Sequence, residues 1–105
     1  MDEYQIGEMI KRAIEIRKKY HTLEIRQNGK KWTTEQDALA YLTDAAIVGR
    51  NVMSHQESWP KINTAEELEH KLGENMWWLI ILANRTGFDI MKALEKFLTK
   101  TENIL

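Results

Sequence analysis

The chain has no cysteine, which excludes disulfides and thiolate metal sites. Its single proline, Pro60, leaves long stretches free to run as uninterrupted helix. No Gly-rich phosphate loop is present, and the two serines, Ser54 and Ser58, lie beside His55 and Gln56 without a framework for nucleophilic catalysis. Neither a signal peptide nor a membrane span is expected, because the longest apolar run, Met76 to Ala83, is only eight residues. An excess of charge of one sign is also missing. The net charge of −1 argues against a general polyanion binder and makes nucleic acid an unfavoured partner.

What is present suits one all-helical domain, residues 1–105, read as cytoplasmic: 43% apolar and 30% charged residues allow a modest core under a polar surface. The charges are uneven. From Lys11 to Lys31 there are eight Lys/Arg against two acids, so the rest is net acidic. This basic segment is able to meet phosphates or an acidic partner, although mixed-charge helix faces are usually only solvated.

Leu68 to Ala83 is the axis of the chain. Leu68, Leu72, Met76, Leu79/Ile80 and Ala83 form one stripe, and from Trp77 to Leu82 no polar side remains. A helix apolar all round must be covered all round, so it sits centrally or against a second copy. A first helix is predicted from Asp2 to Tyr20, burying Ile6, Met9, Ile10, Ala13, Ile14, Ile16 and Tyr20. Asn28-Gly29 then predicts a loop or short hairpin between Leu23–Arg26 and Lys30–Trp32. Thr33-Thr34-Glu35-Gln36 reads as a capping box opening a helix to about Ser54, and Thr64-Ala65-Glu66-Glu67 as another opening the axial helix. Gly87 suits a left-handed C-terminal stop, Asp89 caps a last helix, and Lys100 to Leu105 should fray. Short connections between four helices predict a bundle.

Asp44 and Glu74 lie near the centres of helices that must pack together. Facing carboxylates on neighbouring helices are one way a bundle holds a divalent cation, and hard oxygen ligands favour Mg²⁺ or Mn²⁺. The alternative is solvation, or pairing with a lysine.

His70-Lys71-Leu72-Gly73-Glu74-Asn75-Met76-Trp77, then the apolar run, Asn84 and Gly87-Phe88-Asp89-Ile90, resembles the second half of MazG-like nucleotide pyrophosphohydrolases. The resemblance covers about Trp32 to Phe97. It implies an all-α bundle and cleavage of nucleoside triphosphates to monophosphate and pyrophosphate with Mg²⁺. The axial helix, too apolar for one chain to cover, predicts completion as a homodimer or tetramer. The resemblance places Glu74 and Asp44 as catalytic acids and metal ligands. The departures are specific. The family's Glu-Glu-x-x-Glu reads Ala40-Tyr41-Leu42-Thr43-Asp44, and its Glu-x-x-Asp reads Lys71-Leu72-Gly73-Glu74. Lys71 therefore stands where a ligand should be, three residues before Glu74 and four after Glu67. Glu67 and His70, on the face of Glu74, offer a shifted metal site with Asp44, although Glu67 is also explained as a capping-box partner. Trp32 and Trp59, beside loops, are the candidates to stack on a base, with Lys71 and Asn75 as further substrate contacts. The expectation is thus a divergent pyrophosphohydrolase of weakened or lost activity, or a non-catalytic nucleotide-binding or protein-interaction module.

Overall fold

The computed structural model describes residues 1–105 as four helices and no strand: α1 (Glu3–Asn28), α2 (Thr34–His55), α3 (Thr64–Thr86) and α4 (Ile90–Ile104). None is long and apolar enough to cross a membrane. The axial stretch is indeed central. α2 packs along α3, α1 lies against α3 at fewer points, and α4 touches only α3.

Three of the four stop-and-start signals act as their residue types require. Thr33 accepts the Gln36 N–H while the Gln36 side chain accepts from the Thr33 N–H, a complete capping box. Asp89 Oδ1 accepts from the N–H groups of Met91 and Lys92. Gly87, at φ 82°, takes the left-handed position that ends α3. The start of α3 differs. Its N-cap is Asn63 in left-handed geometry without a side-chain cap, and the Thr64 hydroxyl turns to Ser54 Oγ at 2.6 Å and the Lys61 carbonyl at 3.0 Å. Glu67 is therefore not a capping-box partner.

Other expectations are corrected too. The hairpin around Asn28-Gly29 does not form, because α1 continues two turns past Tyr20 and stops at left-handed Gly29. The cause is Glu24. Its carboxylate grips Arg17 seven residues earlier on the same helix and accepts the Trp32 N–H at 2.8 Å, so helix and connection are tied to one group. The tail does not fray before Ile104.

Burial departs most. Only Ala13, Trp78 and Ile81 are buried among apolar residues, whereas Arg17, Glu24, Asp37, Asn51 and Ser54 are buried among polar ones. Of the expected α1 stripe, Met9, Ile16 and Tyr20 remain about half exposed. α4 buries nothing completely. Its apolar side, with Ile6, Met9 and Ile10 of α1 and Met76, Leu79 and Ile80 of α3, borders an apolar groove of about 480 Å³.

Candidate functional site

Asp44 and Glu74 face the same point. α2 supplies Asp44, α3 supplies Glu74 one turn after Lys71, and the Lys71 ammonium lies between them, 2.9 Å from each. The other oxygen of Asp44 accepts the Trp78 indole N–H at 2.8 Å. Asn75 completes the arrangement from behind, its amide donating to the backbone carbonyls of Asp44 (3.2 Å) and Lys71 (2.7 Å). These are mostly covered groups: the side chains of Lys71, Asp44 and Glu74 are 20, 13 and 27% exposed.

Electrostatics follow from the geometry. Burial pushes the Asp44 carboxyl up, but hydrogen bonds from Lys71 and Trp78 and the ammonium charge outweigh it and hold the group below its ordinary range. The hydrogen bonds to Glu74 and Asp44 raise the Lys71 pKa, so the cation is locked in its charged form. A point charge with three donors answers two carboxylates in the way a metal would, but it cannot polarise a phosphate or activate a water as a Lewis acid.

The shifted metal site is not assembled. Glu67 is drawn to Asn51 and Lys61, each at 3.1 Å, and these hydrogen bonds, Asn51's foremost, lower its pKa. His70 stands 3.6 Å from Glu74 with its side chain largely in solvent. No three Asp, Glu or His side chains come together with the spacing of a metal centre. The substrate contacts also disperse. Trp32 precedes α2 and Trp59 follows it. A 22-residue helix therefore separates them, a length of roughly 30 Å. Arg50 covers one face of Trp59, its guanidinium carbon 3.5 Å from the ring centre, and donates to the Trp59 carbonyl. Lys71 and Asn75 are occupied within the protein.

A second charged cluster escaped the sequence reading, which left Arg17 in a solvated basic segment. Arg17 donates to Glu24 (2.7 and 3.2 Å) and to Asp37 (2.7 and 3.2 Å), while Arg85 adds a 2.8 Å bond to Asp37. Asp37 has no exposed surface. Burial opposes both charges, but the paired bonds win: Arg17 is raised and Glu24 lowered from their ordinary values. The available signal was Arg17 and Glu24 at i and i+7, two turns apart on one face once α1 is allowed to continue.

No protein-family model matches the chain. No curated protein and no solved structure matches it either. A groove of about 690 Å³ between α1 and α3, bordered by Tyr20, Glu66, Glu69, His70, Glu74 and Trp77, opens beside the lysine-bridged pair. Trp77 is anchored there by its indole N–H on the Ala13 carbonyl at 3.0 Å and lies against Tyr20 and Trp78. It is thus a half-buried packing residue between α1 and α3.

Proposed function

We propose that the chain is a non-catalytic MazG-like module, a homodimer of helical bundles in which Lys71 has taken the place of the divalent cation. The observation that carries this reading is the ammonium shared by Asp44 and Glu74 at 2.9 Å each. Mg²⁺ or Mn²⁺ would have to displace a covalently tethered cation that already satisfies both carboxylates.

Self-association is supported by surface area. The chain exposes 8275 Å². A compact protein of its mass exposes about 6,100 Å². The excess of roughly 2,000 Å² per chain is of the size that obligate dimers bury. The radius of gyration, 16.3 Å, likewise exceeds the roughly 13 Å of a compact domain of this length. Apolar residues that border one groove are among the exposed ones: Met76, Met91 and Leu94 are 67, 40 and 46% exposed. Contiguous apolar surface of this kind marks an interface.

A weakly active pyrophosphohydrolase is the second reading, favoured by the convergence of Asp44 and Glu74 on one cation-sized point. One assay separates the two. Purified protein with Mg²⁺ or Mn²⁺ and a panel of nucleoside triphosphates, deoxy forms included, should release no pyrophosphate. Turnover that Glu74→Gln abolishes would overturn the proposal. The double variant Lys71→Glu/Tyr41→Glu should gain Mg²⁺ affinity by calorimetry. For the assembly, Met91→Glu/Leu94→Glu should convert a sedimenting dimer to monomer, and a monomeric parent protein would refute the dimer.

A further inference from the structure

We propose that the cavity between the C-terminal halves of α1 and α3 binds a tetrahedral oxyanion, a free phosphate or the phosphate group of a phosphomonoester. The cavity has a volume of about 310 Å³, with Ile14 and Ile81 as its apolar wall. Its polar lining is Arg17, Lys18, His21, Lys31, Asn84 and Arg85, with no carboxylate among them. The two acids that neutralise the arginines, Glu24 and Asp37, are not part of that lining.

Three features make this more than a basic surface. First, Arg85 is half used. Its Nη1 is fixed by Asp37 at 2.8 Å and the Trp32 carbonyl at 2.9 Å, whereas its Nε and Nη2 have no protein partner. A guanidinium held at one nitrogen presents its remaining donors in the fork geometry that matches a pair of phosphate oxygens. Secondly, Lys31 makes no ion pair, and Lys18 makes only an exposed 3.2 Å contact to Glu15. An exposed contact of that kind costs little to exchange for an anion. Thirdly, His21 Nε2 is shut from solvent without a hydrogen-bond partner. Burial first, then the charges of Arg17, Arg85 and Lys31, push the His21 pKa down against the opposing pull of Glu24. The imidazole thus registers a positive field inside the cavity. The volume lies at the small end of ligand sites, which suits one phosphate group with the rest of a larger ester outside.

The charged groups around His21 are Arg17, Lys18 and Glu24 of α1, Lys31 of the connection and Arg85 of α3, with Asp37 of α2 behind the arginines. An anion among them favours imidazolium. By linkage, binding must therefore raise the His21 pKa, and affinity must rise as the pH falls. The cavity shares no residue with the Lys71 cluster or with the apolar groove beside α4.

The test uses the full chain and NMR at fixed ionic strength, titrated with inorganic phosphate and, separately, with sulfate, whose charge is constant from pH 5 to 8. Saturable shifts at the His21 ring and Arg85 Nε–H are expected, half-complete at roughly millimolar anion, a concentration typical of one weak charged site. Saturating sulfate should raise the His21 pKa. Lys31→Glu should weaken binding about tenfold and Lys31→Arg should restore it. Both are at an exposed side chain and leave the fold intact, which the amide spectrum reports. Glucose 6-phosphate compared with inorganic phosphate distinguishes an esterified from a free phosphate. Linear, unsaturating shifts, equal shifts with chloride, or undiminished affinity in Lys31→Glu would overturn the proposal.

Discussion

Replacing Lys71 by Met is the sharpest perturbation of the Asp44–Glu74 pair. Met keeps the chain's length and apolar stem but removes the ammonium that bridges two carboxylates at 2.9 Å. Removing one partner from a buried pair costs about 3–5 kcal/mol. The three side chains here retain 13 to 27% exposure, so water recovers part of that loss and about 2–3 kcal/mol is expected. In a domain of this size each kcal/mol lowers Tm by roughly 4–8 °C, giving a fall of about 10–20 °C. The second half of the experiment is restoration. With its tethered cation gone, the pair should accept Mn²⁺ or Mg²⁺, and metal at ten times its Kd returns about 1.4 kcal/mol. Thermal and urea unfolding at one protein concentration, with and without metal, measure both halves. A loss below about 0.5 kcal/mol, or metal stabilisation equal in the parent and in Lys71→Met, would refute the cation-replacement argument.

Other perturbations test neighbouring parts of the same logic. Asp37→Asn leaves Arg17 and Arg85 facing an amide at a site without exposed surface, and should destabilise the chain by about 3–5 kcal/mol in urea. Trp78→Phe keeps an aromatic ring but loses the indole N–H to Asp44 and leaves a small void at a buried position, at a cost of about 2–3 kcal/mol and a raised Asp44 pKa by carboxyl NMR. Stability should also depend on pH at both ends. Asp44 and Glu24 have lowered folded pKa values, so their contribution is complete above the ordinary carboxylate range and is lost as the pH falls through their depressed values, below about 4. Lys71 has a raised folded pKa, so its contribution is complete below about 10.4 and is lost as the pH rises through the higher folded value. Unfolding free energy measured from pH 2 to 12 should be lowered at both ends, and the alkaline loss should vanish in Lys71→Met.

The amino-acid order by itself determined whatever depends on near neighbours. Four helices, the Thr33–Gln36 capping box, the Asp89 cap and the Gly87 stop are local, because each is a side chain or a φ angle acting on backbone within a few residues. The likelihood of a lysine meeting Glu74 was equally local, being an i, i+3 relation on α3. That Lys71 also reaches Asp44, twenty-seven residues away, depends on how α2 lies on α3. So does the Arg17–Glu24–Asp37–Arg85 cluster, which lengthened α1, removed the expected hairpin and drew four charges inside. A charged residue in sequence looks the same whether solvated or buried, since burial is affordable only when partners from other helices arrive together. Periodicity likewise marked which face of α1 is apolar, but only packing decided that one chain leaves it, and α4 beside it, uncovered.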